Sequence, residues 1–168
     1  MPSAPFESLP DDSRLWVFGS DQTITGAASE TLLGETDRFL ETWAAHGTPL
    51  TCGRDWKESR FLTIAADQST AGASGCSIDG LFRTLAALGP RLGANLVSSG
   101  RIFYRDQDGE VAECTRDRFV ELAAAGEVNT STPVFDTTLQ TLGEWRAGFE
   151  RPLAESWHVQ LLPDGAAR

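Results

Sequence analysis

The chain has 168 residues, and its 24 acidic and 14 basic side chains give a formal net charge of −10. A chain of this length can bury one substantial core and carry a small additional lobe. The hydrophobic fraction of 40% is ordinary for a globular protein, and the composition therefore excludes a largely disordered chain. An acidic surface repels phosphate backbones, so we expect no nucleic-acid partner.

No stretch approaches the roughly 20 apolar residues of a membrane span, and residues 1–5 lack the pattern of a secretory signal. The three cysteines, Cys52, Cys76 and Cys114, are odd in number and widely spaced. This argues against a disulfide framework and favours a reducing cytoplasm. A zinc site is disfavoured because no Cys-x-x-Cys or His-x-x-x-His spacing is present. We predict a cytoplasmic protein without a metal, a cofactor or a membrane span.

Residues 1–13 are rich in Pro, Ser and Asp, which predicts a flexible lead-in. A short apolar run at 14–18 predicts a buried strand. A helix is predicted to begin after Ser29 as its N-cap and to end at Gly47, because apolar residues recur between them at three- and four-residue spacing.

Residues 50–66 predict a hairpin that turns at 57–59. Its second arm, 60–66, is too continuously apolar for an edge strand, so we place it centrally in the sheet. A second helix follows the Ser-Gly-Cys-Ser stretch, in which either Ser77 or Ser74 could be the N-cap. Gly89-Pro90 is expected to end or kink this helix, since proline lacks the backbone donor.

Two more strands, 101–105 and 110–114, complete the order strand, helix, strand, strand, helix, strand. This order is typical of a ferredoxin-like α+β core, in which an antiparallel sheet carries two helices on one face. We predict that core over residues 14–114, a small C-terminal α/β lobe over 115–162 and a disordered tail over 163–168.

The C-terminal lobe is predicted to begin with a short helix that Thr115 caps. A strand at 132–136 and a weak helix within 139–149 follow it. Trp157 is then expected to return onto the body of the protein.

Four clusters occur in a fixed order: Trp43-Ala44-Ala45-His46-Gly47, Arg60-Phe61, Ser74-Gly75-Cys76-Ser77-Ile78-Asp79 and Ser156-Trp157-His158. Together they resemble a family of short, uncharacterised bacterial proteins that are often labelled automatically as ABC transporter ATPases. The resemblance spans roughly residues 14–158, and the Ser-Gly-Cys-Ser-Ile-Asp and Ser-Trp-His pieces are its more specific parts. It implies a bacterial protein and brings no established activity with it.

The ATPase label fails on the residues. A nucleotide-binding loop needs a glycine-rich turn that ends in Gly-Lys-Ser/Thr, with the lysine reaching the β- and γ-phosphates. Residues 72–79 contain glycines but no lysine, and Lys57, the only lysine, lies in the predicted hairpin turn. We therefore reject nucleotide hydrolysis.

Cys76 is the strongest candidate for a reactive group, because thiolates are stabilised by the free amides and the dipole at a helix N-terminus. A nucleophile needs a base, and His46 and His158 are the only histidines. We expect both to be exposed. We also expect the two helices to run nearly parallel, which would place His46 about a helix length (on the order of 20 Å) from Cys76. The predicted catalytic set is therefore Cys76 and His158, with Asp79 as a third member.

Each of these residues also has a structural interpretation. Cys76 would fill a tight turn as a small apolar residue, and His46 would stabilise the C-terminus of the first helix. Six residues are predicted to contact a ligand, three beside the thiol and three in an aromatic pocket with a polar rim: Ser74, Gly75, Ser77, Trp56, Arg60 and Trp157.

Two functional hypotheses follow. The first is a non-catalytic module that binds a small molecule or a protein, since nothing in the sequence completes a catalytic set. The second is a thiol-dependent enzyme or redox protein built on Cys76. The identity of the ligand and the oligomeric state stay open.

Overall fold

A computed structural model describes residues 4–69 and 72–163. The chain is a mixed α+β protein that divides into two compact units. Unit 1 contains Met1–Val97 and Thr137–Ala147, and unit 2 contains Ser98–Asp136 and Gly148–Arg168. None of the helices among the described residues is long and apolar enough to cross a membrane.

The helices and strands in chain order are β1 (Arg14–Gly19), α1 (Gly26–Glu41), β2 (Ala44–Ala45), β3 (Thr48–Pro49), β4 (Thr51–Lys57), β5 (Phe61–Asp67), α2 (Gly75–Leu92), β6 (Arg101–Arg105), β7 (Val111–Thr115), α3 (Arg116–Ala124), β8 (Pro133–Phe135), α4 (Leu142–Gly148) and β9 (Glu150–Pro152). Short 3-10 helices lie at Phe6–Ser8, Leu153–Glu155 and Trp157–Leu161.

The sheet of unit 1 has the order β1-β5-β4, and both strand pairs are antiparallel. The predicted hairpin is confirmed as β4 and β5, with Glu58 and Ser59 in the turn at positive φ. The central position predicted for its second arm is also confirmed, and residues 61–66 are buried throughout. The apolar run was a valid signal because both faces of this strand are covered.

Both long helices pack on one face of this sheet, around a core that includes Leu32, Leu40, Ile64, Leu81 and Leu85. The prediction that the helices run parallel is wrong. Trp43, just beyond the end of α1, donates from Nε1 to the Ser77 carbonyl in the first turn of α2 (2.8 Å). Arg91, near the end of α2, lies close to Glu35, which is earlier in α1, with 4.0 Å between Nη1 and Oε1. The helices are antiparallel because each returns over its own preceding strand, and β1 and β5 run in opposite directions.

The first helix has different ends from those predicted. It begins after Thr25, and Ser29 lies inside it, with Oγ donating to the Gly26 carbonyl (2.7 Å). It ends at Glu41, because residues 44–49 fold into the short antiparallel pair β2–β3. His46 and Gly47 form the turn of that pair at φ 51° and 80°, a left-handed conformation that a helix cannot contain. Gly47 is therefore not the helix terminator.

The second helix follows its predicted start more closely than its predicted end. Ser74 is the N-cap. The helix passes through Pro90 and ends at Leu92, where Gly93 adopts the left-handed conformation at φ 66°. Pro90 removes only its own backbone donor, and the turn beyond it still closes, since the Gly93 amide donates to the Gly89 carbonyl (2.9 Å).

Residues 4–13 cover the second face of the unit 1 sheet, so the predicted flexible lead-in is wrong for this segment. Phe6 and Leu9 are buried beside Leu15, Ala65 and Leu142. The residues that could have predicted this packing are Phe6 and Leu9, two large apolar side chains among the prolines, which hold the segment on the sheet. Residues 1–3 of the lead-in, and residues 164–168 of the predicted disordered tail, lie outside the described residues.

Unit 2 contains the antiparallel sheet β7-β6-β8-β9 and the helix α3. Thr115 caps α3 as predicted, accepting from the Arg118 amide (3.2 Å). The core of unit 2 contains Ile102, Phe119, Leu122, Val134 and Leu153, together with the smaller side chains of Ala123 and Val128.

The division between the units differs from the predicted one. It lies after Val97 rather than after residue 114, because β6 pairs with β7 and β8. Within the described residues, the sheet of unit 1 contains three strands of the predicted core, β1, β4 and β5. The ferredoxin-like arrangement is therefore not confirmed. The helix predicted within 139–149 exists as α4, mostly in unit 1 instead of the C-terminal lobe.

Candidate functional site

The first turn of α2 carries the Ser-Gly-Cys-Ser motif. Ser74 and Ser77 form a reciprocal capping box, since Ser74 Oγ accepts from the Ser77 amide (3.2 Å) and Ser77 Oγ accepts from the Ser74 amide (2.7 Å). Ser77 Oγ also donates to the Ser74 carbonyl (2.8 Å). Serine at both the N-cap and the third helical position makes this geometry possible. Both hydroxyls, predicted to contact a ligand, are engaged in starting the helix.

Cys76 is the second residue of α2 and is exposed. Among the described residues it forms no hydrogen bond with an acid or a base. Asp79 points to a different partner, since its Oδ2 accepts from Arg83 Nε (2.9 Å) on the helix surface, where the two side chains are 67% and 74% exposed. The thiol is accessible, as a reactive group must be, but the described residues do not place Asp79 in contact with it.

His158 lies in the 3-10 helix Trp157–Leu161 and is only 1% exposed, so the expectation of exposure is wrong. Its Nδ1 is 2.6 Å from Ser156 Oγ, and its ring stacks on Trp157 with centroids 4.1 Å apart. Burial lowers the pKa of His158 to about 4; Asp136 opposes this shift and Arg116 adds to it. The imidazole is therefore neutral near pH 7.

The predicted catalytic set is divided between the units, with Cys76 and Asp79 in unit 1 and His158 in unit 2. Its assembly stays a prediction. His46 is exposed in the β2–β3 turn, so its predicted role at a helix C-terminus is wrong.

The three residues of the predicted aromatic pocket have separate roles. Trp56 packs against the helix-covered core of unit 1. Arg60, in the same unit, donates from Nη1 to the carbonyl of Ser20, the residue that follows β1 (3.0 Å). The Nε atom of Arg60 is buried and has no hydrogen-bond partner among the described residues. Trp157 belongs to unit 2, where the Arg116 guanidinium lies over its ring (5.3 Å). A common pocket for the three stays a prediction.

An open pocket that the sequence did not indicate lies in unit 1 at the C-terminal end of α2. Its volume is about 570 Å³, and its lining residues are Asp21, Ala86, Gly89, Pro90, Gly93, Ala94, Asn95 and Val97. Two chain segments meet there, since the Asn95 amide donates to Asp21 Oδ1 (2.8 Å) and the Asp21 amide donates to the Asn95 carbonyl (3.2 Å). The available signal was a polar residue, Asp21, in the loop that follows β1 and another, Asn95, in the loop that follows α2.

The other two cysteines are less exposed than Cys76, since Cys52 is buried and Cys114 is half-buried. Cys52 is fully buried, which raises the pKa of its thiol to about 12, and its Sγ donates to the Leu40 carbonyl (3.6 Å). Burial also raises the pKa of Cys114 to about 11, with a further contribution from Glu113. Within residues 4–69 and 72–163, no three His, Cys, Asp or Glu side chains are grouped so that they could hold a metal ion.

The fold and these sites define an α+β protein with an accessible thiol, a buried imidazole and an open pocket in the larger unit. No protein-family profile matches the chain, and no curated protein or solved structure shows significant similarity to it. The resemblance to the short bacterial family stays a prediction.

Proposed function

We propose that this protein is a non-catalytic binding module whose ligand occupies the pocket at the C-terminal end of α2. The observation that carries the proposal is the state of His158. An imidazole that is 1% exposed and bonded to Ser156 is poorly suited to accept a proton from a substrate or from the Cys76 thiol. The pocket, by contrast, is open and has the size of a small-molecule site.

The chemistry of the pocket favours a ligand rich in hydrogen-bond donors, such as a small primary amine. Its lining contains the carboxylate of Asp21 and no Lys, Arg or His side chain. The last turn of α2 adds the partial negative charge of a helix C-terminus. Ala86, Pro90 and Val97 supply apolar surface for the body of such a ligand.

The test is a set of thermal-shift titrations with primary amines and with their hydroxyl and carboxylate analogues. Amines are expected to raise the Tm of the wild-type protein, since a ligand that binds only the folded state stabilises it. Ala86→Trp should fill the pocket and abolish the shift, and Asp21→Asn should reduce it. Ala87→Trp is the matched control, because Ala87 is an exposed neighbour on α2 that does not line the pocket.

Equal shifts in Ala86→Trp and Ala87→Trp would place the ligand elsewhere and contradict the proposed site. Amines that stabilise the protein no more than their carboxylate analogues would contradict the proposed chemistry.

The alternative is thiol-dependent chemistry at Cys76, which its exposure in the first turn of α2 favours. This hypothesis requires that another group activate the thiol. The labelling experiment in the Discussion separates it from the binding hypothesis.

A further inference from the structure

Two chain segments that run in the same direction supply the lining of the pocket in unit 1. The first leads from Phe18 in β1 to Asp21, and the second leads from Phe82 in α2 to Asn95 in the following loop. They contact each other twice, in the same order along both segments. The Phe18 and Phe82 rings meet edge-on, with centroids 5.1 Å apart, and the Asp21 amide donates to the Asn95 carbonyl (3.2 Å). This region therefore has an aromatic end and a polar end.

Phe82 lies next to the pocket on the same face of α2. It precedes the lining residue Ala86 by four positions, and a second lining residue, Pro90, follows Ala86 by four. Residues at this spacing are neighbours on one helix face, and about 6 Å of helix axis separates Phe82 from Ala86. The Phe82 side chain is 37% exposed, whereas Leu81 and Leu85 are at most 1% exposed. The helix thus presents an aromatic ring to solvent beside the pocket.

The exposure of this ring is unusual in the part of the chain that the structure describes, where Val120 is the other exposed large apolar side chain. Phe18 already holds the ring, since the two ring planes cross at 71°. Aromatic side chains are typical of small-molecule sites, and a second ring packed on Phe82 gains more than its buried area alone would give. The aromatic end therefore favours a ligand that has its own ring.

The polar end favours a cation. Asp21 is half-buried, and its Oδ1 accepts from the Asn95 amide (2.8 Å). Among the described residues, no lysine or arginine forms an ion pair with Asp21. Arg83, the residue after Phe82, is already paired with Asp79 (2.9 Å). An ammonium group can therefore bind the Asp21 carboxylate without displacing a cation of the protein.

The spacing of the two ends limits the length of the ligand. An extended chain covers at most about 10 Å from Phe18 to Asp21, so a linker of a few carbon atoms is enough to join the ring to the ammonium group. A carboxylate on that linker is disfavoured, because Asp21 is negative and the C-terminal end of α2 adds a partial negative charge. The site therefore disfavours free aromatic amino acids, which carry such a carboxylate.

We propose that the ligand of this pocket is an arylalkylamine, whose ring packs on Phe82 and whose ammonium group pairs with Asp21. The inference rests on the proposed binding function and adds the class of ligand to it. Phe82 is then the residue that determines specificity, since Asp21 alone would accept any small amine.

NMR titrations of the isotopically labelled protein with 4-phenylbutylamine and with n-butylamine test the role of the ring. The wild type should bind 4-phenylbutylamine at least about tenfold more tightly than n-butylamine, because only the former reaches Phe82. Phe82→Ala should lose most of this preference and should bind n-butylamine within about twofold of the wild type. Val120→Ala is the matched control, since it removes the other exposed apolar side chain, which lies in unit 2. This variant should keep the full preference.

The outcomes separate this inference from the proposed function. Equal affinity of the wild type for the two amines would overturn the role of the ring and leave an amine-binding pocket standing. Binding of neither amine would overturn the binding function and the inference together. Equal weakening of both amines in Phe82→Ala would also overturn the inference, since that result means that Phe82 only supports the fold of the pocket.

A second variant keeps the test decisive if Phe82→Ala disturbs the packing on Phe18. Phe82→Leu retains apolar volume at this position but has no ring. It should bind n-butylamine like the wild type and should lower the preference for 4-phenylbutylamine by about threefold or more. An unchanged preference in Phe82→Leu would overturn the proposed contact between two rings.

Discussion

The thiol of Cys76 and the imidazole of His158 differ in solvent accessibility, which a catalytic nucleophile and its base both need. Cys76 is exposed in the first turn of α2, where the neighbouring serines are occupied with the helix cap. His158 is buried under Trp157, bonded to Ser156 and neutral near pH 7. Within residues 4–69 and 72–163, Cys76 is exposed and forms no hydrogen bond with a base, whereas His158 is a base that is almost fully buried. The presence of a cysteine and a histidine in the sequence is therefore weak evidence for a catalytic site, because the burial and the protonation state of each side chain must also suit its role.

The largest expected difference concerns thiol accessibility. A disulfide reagent such as DTNB should modify Cys76 in the folded protein at pH 7.5, because its side chain is exposed. Cys52 is 0% exposed and should react only through unfolded molecules, which are about 10⁻³–10⁻⁶ of the population. Its labelling should thus be slower by a factor of at least about 10³. Peptide mapping of the modified chain identifies each site, and Cys76→Ser should remove the fast phase.

The same labelling separates the two functional hypotheses. A neighbouring base raises the labelling rate of a thiol through its thiolate fraction, which is about one tenth at pH 7.5 for an ordinary thiol pKa of about 8.5, so the loss of such a base lowers the rate by up to about tenfold. If no histidine activates the Cys76 thiol, this thiol should be labelled in His158→Asn and His46→Gln at nearly the wild-type rate. Circular dichroism checks that both variants are folded. A loss of that size in either variant would contradict a non-catalytic function and identify the base.

The next effect is the acid sensitivity that His158 confers. Its folded pKa of about 4 lies below the ordinary value of 6.5, so the neutral form is favoured by the fold. The corresponding stability is fully present above pH 6.5 and is lost as the pH falls toward 4. A shift of this size corresponds to about 3 kcal/mol in the free energy of unfolding, as an order of magnitude.

Urea denaturation at pH 7 and pH 4.5 measures this loss. The decrease should be smaller in His158→Asn than in the wild type, and unchanged in His46→Gln, whose histidine is exposed in a turn. An equal decrease in all three proteins would assign the acid sensitivity to carboxylates alone.

The smallest effect concerns the helix start beside the thiol. Ser74→Ala removes the acceptor for the Ser77 amide and should lower the free energy of unfolding by about 1 kcal/mol. Ser29→Ala is the control, because Ser29 is inside α1 and bonds only to the Gly26 carbonyl of the preceding turn. Its cost should be within about 0.5 kcal/mol. Similar values for the two variants in urea titrations would show that the capping box adds little.

Local patterns predicted the elements whose causes are local. The β4–β5 hairpin, the Ser74 cap, the Thr115 cap and the central position of β5 all follow from residues within a few positions of one another. The predicted ligand contacts at Ser74 and Ser77 came from the same residues, but their hydroxyls could satisfy either a ligand or the helix. The pocket at Asp21 and Asn95 was not predicted, because its two sides are 74 positions apart in the chain.

The sequence by itself determined the α+β class, most helix and strand positions and the acidic character, since these depend on periodicity, turn residues and composition. The tertiary structure alone decided that β6 pairs within unit 2, that residues 4–13 cover the sheet and that His158 is buried. Strand partners, coverage and burial depend on which distant surfaces meet. Those surfaces are selected by the summed gain of packing apolar area, which no short window of sequence contains.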